Sequence, residues 1–106
     1  MADQLGNFEM LVLIAAFRLG EGAYGATIHR DIEEHTGRFI SVGALYQTLR
    51  RLEIKGYISS RTGEATPERG GRAKRYYSLS SLGRAALRET ASNFLSMLSG
   101  LDTEFA

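Results

Sequence analysis

Gln47, Thr48, Arg50 and Arg51 crowd into five positions that begin three residues after a pair of small ones, Gly43 and Ala44. A glutamine amide can pair with the N7 and N6 edge of adenine, an arginine fork suits guanine, and a threonine meets a base edge or a thymine methyl. Glycine and alanine would let a helix backbone approach such edges closely. One bidentate contact of this type discriminates between bases by ~1–3 kcal/mol. Arg50 and Arg51 are open to either a base or a phosphate, with phosphate favoured for Arg50 because most protein–DNA hydrogen bonds go to the backbone. A second set, Arg69, Gly70, Gly71, Arg72, Lys74 and Arg75, strings four cations along a glycine bend. Such a bend can neutralise phosphates and send an arginine into an adjacent minor groove. The chemistry expected is therefore the gripping and reading of duplex DNA.

The charge distribution agrees. The net charge of +1 hides a strong partition: residues 1–37 carry −4, residues 38–77 carry +6 and residues 78–106 carry −1. Positive potential is thus concentrated where the two sets lie, as a polyanion-binding face requires.

Enzyme chemistry finds little support. His29 and His35 are six apart on one helix, so they share no face, and they read as exposed helix residues rather than a metal or acid–base pair. No glycine-rich phosphate loop follows a strand and no serine sits on a nucleophile elbow. With no cysteine, disulfides, thiol nucleophiles and cysteine metal sites are excluded. No catalytic residue, cofactor or metal is expected. A secretion signal and a membrane-length apolar run are both missing from the pattern, so the expectation is a cytoplasmic protein without a membrane partner. At 106 residues, 43% apolar and 24% charged, the chain suits one small globular unit.

Positioning elements can be read around these sets. A first helix is predicted over about 5–19, where Leu5, Phe8, Leu11, Val12, Ala15, Ala16 and Leu19 recur at helical steps and Leu13, Ile14 and Phe17 widen the stripe. So broad a stripe suggests cover on two sides, the second from another subunit. Gly20-Glu21-Gly22 should stop it. A second helix is predicted from Gly25 to Thr36, with Gly37 in the left-handed position beyond its end. Ser41 then caps a third helix, with Ile40 and Leu45 at the two positions of a hydrophobic staple that fixes its entry angle. In that helix Val42, Leu45, Leu49 and Leu52 should face inward, leaving Gly43, Ala44, Gln47, Thr48 and Arg51 outward. Gly56 ends it. Strands follow near Tyr57-Ile58 and over Ala73–Leu79, joined by the basic bend. Ser80 caps a last helix to about Ser99, in which Leu87, Ala91, Phe94, Leu98 and Leu101 form a heptad seam, extended by Phe105 if the helix persists. The same helix folded back onto its own domain is the plainer alternative. The fold class expected is mainly α with a small β-hairpin: a winged helix-turn-helix domain over 5–79, then a C-terminal dimerisation helix over 80–106 packing with helix 1.

The combined pattern resembles the PadR family of bacterial transcriptional regulators, in its compact branch. The resemblance rests on Ala23-Tyr24-Gly25, on residues 43–53 with Lys55-Gly56-Tyr57-Ile58, and on residues 70–79 before Leu82-Gly83. It implies a winged-helix homodimer, usually a repressor, on an inverted repeat in double-stranded DNA. It also implies that Tyr46 faces DNA or braces helix 3, a plain core-edge tyrosine being the alternative, and that helix 1 (Leu5, Phe8) and the last helix build the dimer interface. Ser41, at the start of helix 3, joins the expected DNA-binding surface. The family's wing commonly has proline where Ala73 stands here. Some relatives bind aromatic ligands at that interface, so a small aromatic effector is the further partner implied, with Phe8, Phe17, Tyr24 and Phe94 as lining; the same aromatics also read simply as core. The competing function is a winged helix used only for protein–protein interaction, since fold does not fix function.

Overall fold

The computed structural model describes residues 5–63 and 74–101. Its elements run α1 (Asn7–Leu19), a 3-10 turn (Gly20–Gly22), α2 (Gly25–Thr36), α3 (Val42–Ile54), β1 (Ile58–Thr62), β2 (Arg75–Leu79) and α4 (Ser81–Leu98). The expected class, mainly helical with one antiparallel hairpin, is the one observed. Arg69, Gly70, Gly71, Arg72, Ala73 and Phe105 lie outside the described residues.

Three helices enclose the core. Val12, Leu13 and Ala16 from α1, Ile28 and Ile32 from α2, and Leu45, Leu49 and Leu52 from α3 are all buried, each large apolar side chain contributing about 1.5–3 kcal/mol of burial. Gly37 closes α2 with φ 68° and donates its N–H to the Glu33 carbonyl. Tyr57 and Ile58 carry the core into the hairpin, where Ile58 pairs with Leu79 and Thr62 with Arg75. Tyr77 N–H donates to Ala23 O at 2.8 Å and Tyr24 bridges Tyr76, so the start of α2 lies against the outer strand. The hairpin is thereby fastened to the helices on two sides.

Two positions in α3 differ from expectation. Thr48 is 4% exposed and Val42 is 59% exposed. The stripe that packs is Leu45, Thr48, Leu49 and Leu52, the i, i+3, i+4, i+7 set of one helical face. Thr48 sits in its middle, and its methyl makes it acceptable there; Val42 falls at its rim, in the first turn. Thr48 is accordingly removed from the outward face.

Ser80 caps α4, accepting from Gly83 N–H at 3.0 Å and donating to Gly56 O at 2.6 Å. Gly83 and Ala86 are buried and Leu87 and Ala91 half-buried. Beyond them Phe94, Leu95, Met97, Leu98 and Leu101 are all exposed, so only the first half of α4 rests on its own domain. Leu5, expected at a subunit interface, is instead packed in the protomer's own core, and Phe8 lies partly against it.

Candidate nucleic-acid interface

The start of α3 is held by its own cap and by α2. Ser41 Oγ accepts from Ala44 N–H at 3.1 Å, worth ~1 kcal/mol, and both staple residues, Ile40 and Leu45, are buried. His29 Nε2–H donates to Ile40 O at 2.6 Å, while Ile40 N–H donates to Glu33 Oε2 at 3.1 Å. His29 is therefore not a plain exposed helix residue; it is half-buried and bonded across the turn. His35 is exposed, with Nδ1–H donating to Asp31 O at 2.8 Å and Nε2 3.2 Å from the Arg18 guanidinium.

The far end of α3 is tied to α1. Glu9 is buried, accepting from Gly6 N–H at 2.9 Å and from Lys55 Nζ at 3.0 Å, with Arg51 at 4.0 Å. Burial pushes the Glu9 carboxyl up, but these donors outweigh it and hold the group below its ordinary 4.5.

Between these anchors the exposed side of α3 carries Gly43, Ala44, Tyr46, Gln47, Arg50, Arg51 and Ile54. At ~100° per residue, Gly43, Gln47, Arg50 and Ile54 lie most nearly opposite the buried stripe. Tyr46 stands to one side, toward α2 and the hairpin. A Cβ added at Gly25 would collide with the Tyr46 hydroxyl, so Tyr46 braces α3 against the first turn of α2 while remaining 48% exposed. Arg51 stands to the other side, toward Glu9.

The base of the hairpin completes the surface. Arg75 Nε donates to Ser60 Oγ at 3.0 Å and its Nη2 to Glu53 Oε2 at 3.4 Å, with Ser60 Oγ–H donating to the same carboxylate at 2.7 Å. Arg75 thus ties the hairpin to α3 as well as facing solvent. Lys74 Nζ lies 4.6 Å from the Tyr24 ring centroid, Tyr24 meets Tyr76 edge-on at 5.4 Å, and Arg61 covers Tyr76 at 4.8 Å. These cation–aromatic contacts, about 0.5–1 kcal/mol each where exposed, hold the Lys74 and Arg61 heads against the rings. Tyr77 closes the floor; burial pushes its phenol up, with the Arg75 guanidinium opposing. A groove of about 820 Å³ results, lined among others by Tyr24, Tyr46, Arg50, Glu53, Lys74 and Arg75. The residues missed by sequence reasoning are His29 and Glu33, which hold Ile40 ahead of α3, and Glu53, which lines the groove and holds Arg75; their polar types in charged helices gave no distinguishing signal.

Within the single chain, two of the four aromatics expected around an effector lie in different pockets. Tyr24 lines the groove just described, whereas Phe17 lines a separate cavity of about 220 Å³ with Leu79, Leu87 and Ala91. Among the described residues no group of three or more His, Asp or Glu side chains is placed to hold a metal ion, and no helix is long and apolar enough to cross a membrane.

Three helices, the third capped and outward-facing, followed by a hairpin fastened beside it, define a winged helix-turn-helix protein. Residues 13–89 match the model of the transcriptional regulator PadR-like family, and the chain belongs to that family. Its members are transcriptional regulators, not enzymes. The chain is 39% identical over 66 residues to the transcriptional regulator Rv3488 of Mycobacterium tuberculosis, a match covering 62% of this chain and 57% of that protein. In fold it is similar to a PadR family transcription regulator from hypervirulent Clostridium difficile R20291, with TM-score 0.74 and 22% identity over 95% of this chain and 100% of the other. A PadR family transcriptional regulator from Eggerthella lenta DSM 2243 superposes with TM-score 0.69 and 29% identity, covering 94% and 82% of the two chains.

Proposed function

We propose that this protein is a cytoplasmic, sequence-specific DNA-binding regulator that acts as a homodimeric repressor on an inverted-repeat operator. One observation carries the reading: Arg50 of α3 and Lys74 and Arg75 of the hairpin line a single groove. An element that reads bases and an element that neutralises phosphates thus share one face. Gln47 and Arg50, nearest the centre of the outward stripe, are the base readers, with Gly43 and Ala44 allowing close approach and Ser41 at the entry. Arg51, drawn aside toward Glu9, takes a phosphate. This reverses the preference that sequence alone gives the two arginines. Lys74 and Arg75 bind backbone beside the groove, and Arg69 and Arg72 are further phosphate contacts.

The dimer is proposed to form through Phe94 and Leu98 of the exposed end of α4 and Leu101 just beyond its last turn, with Leu87, Ala91 and Phe8 at its inner edge. Two-fold symmetry then sets the two α3 copies about one turn of DNA, ~34 Å, apart. Selecting bound duplexes from a random pool tests the proposal. Two half-sites in inverted orientation, centred about 10 base pairs apart, are expected; a pool that converges on no sequence would favour the protein–protein reading instead.

A further inference from the structure

The link between α2 and α3 spans residues 37–41, and it sets the direction of α3. Within it Ile40 is held on both backbone polar groups by side chains of α2. His29 Nε2–H donates to the Ile40 carbonyl at 2.6 Å, and Glu33 Oε2 accepts the Ile40 N–H at 3.1 Å. The two side chains are one turn apart on α2 and touch each other, His29 Nδ1 lying 3.4 Å from Glu33 Oε1. The Ile40 side chain is 5% exposed and anchors in the core. Two hydrogen bonds and an apolar anchor therefore fix the residue just before the cap.

We propose that His29 and Glu33 are positioning residues for sequence reading: they aim α3 without themselves meeting DNA. The inference rests on the DNA-binding reading above. Arg50 lies ten residues beyond Ile40 in the chain, about 15 Å along a helix. A tilt of about 10° at Ile40 would move Arg50 by about 2.6 Å, more than the spread of hydrogen-bond lengths a base contact tolerates. Long cationic side chains on phosphates accommodate such a shift, because those contacts place the protein without reading sequence. Releasing Ile40 should thus lower selectivity and spare general affinity.

The experiment compares the full chain's affinity for its selected operator with that for a scrambled duplex, across a salt series. For His29→Ala the ratio of the two affinities is expected to fall about tenfold, as for loss of one buried hydrogen bond, with the salt slope unchanged. His29→Gln, which keeps a donor at the same reach, should restore the ratio to within about threefold. An unchanged ratio in a folded His29→Ala protein overturns the proposal, as does a parallel fall in both affinities. Should His29→Ala fail to fold by circular dichroism, Glu33→Ala against Glu33→Gln decides the same question by the same ratio. A wild type without affinity for any duplex would overturn the DNA-binding reading itself, which is a different result.

Discussion

Glu9 is a carboxylate nearly sealed from water, and it remains ionised because donors surround it. Gly6 N–H and Lys55 Nζ bond to it at 2.9 and 3.0 Å, offsetting a desolvation penalty that would otherwise favour the neutral acid. Its folded pKa lies below the ordinary 4.5, so its contribution is fully present above that value and is lost as pH falls through the depressed folded one. Glu9→Gln should therefore be less stable than wild type near neutrality, with the two converging in acid; parallel denaturation profiles across pH would contradict this. At the outward face, Gln47→Ala is expected to change the preferred operator sequence, with a discrimination loss of ~1–3 kcal/mol at one position. Arg51→Ala and Lys74→Ala should weaken every duplex alike and flatten the salt slope by about one contact each. Competitive binding against a panel of single-base operator variants separates the two behaviours, and an Arg51 variant that changes the base preference would reverse the assignment.

The elements meet through close contacts that leave little room for change. Gly25 lies under the Tyr46 hydroxyl, where an added Cβ would force the tyrosine ring to shift. Gly25→Ala should destabilise the protein by about 1–3 kcal/mol, as overpacking does, and adding Tyr46→Ala should recover part of that loss through the coupling of touching residues. Additive effects in thermal unfolding would show that the two do not bear on each other. Element order and most bounds were legible because they depend on local signals: α2 runs from Gly25 to Thr36 as predicted, Gly37 takes the left-handed turn, and Ser41 and Ser80 cap their helices. Val42 and Thr48 were misplaced because an apolar-versus-polar rule ranks valine inward and threonine outward, while the helical period puts Thr48 at the centre of the packed stripe. The clamp on Ile40 and the link from Arg75 to Glu53 were not legible, since each joins residues on different elements whose meeting depends on tertiary packing. Leu5, expected at the subunit interface, packs in the protomer's own core, because the start of the helix-1 stripe turns inward there, whereas Phe17 toward its far end stays exposed.

At the scale of the whole molecule, the 53 Å long dimension accompanies an α4 whose outer half is apolar and exposed. Phe94, Leu95, Met97 and Leu98 stand clear of their own domain, a larger exposed apolar run than a helix end needs in isolation. Pairing through it would couple two reading heads, and linked binding of two half-sites gains about 10²–10⁴ in avidity. Phe94→Asp with Leu98→Asp should thus yield a monomer by sedimentation and lower operator affinity by about a hundredfold or more, while leaving the melting of the protomer core little changed. A double variant that remains paired would remove α4 as the interface. The central claim is that one cationic face grips the phosphates of duplex DNA, and its most direct measurement is affinity for the selected operator as salt is raised. A paired molecule neutralising six or more phosphates should lose about a thousandfold in affinity between about 50 and about 200 mM salt; an affinity that stays nearly constant over that range would contradict the account.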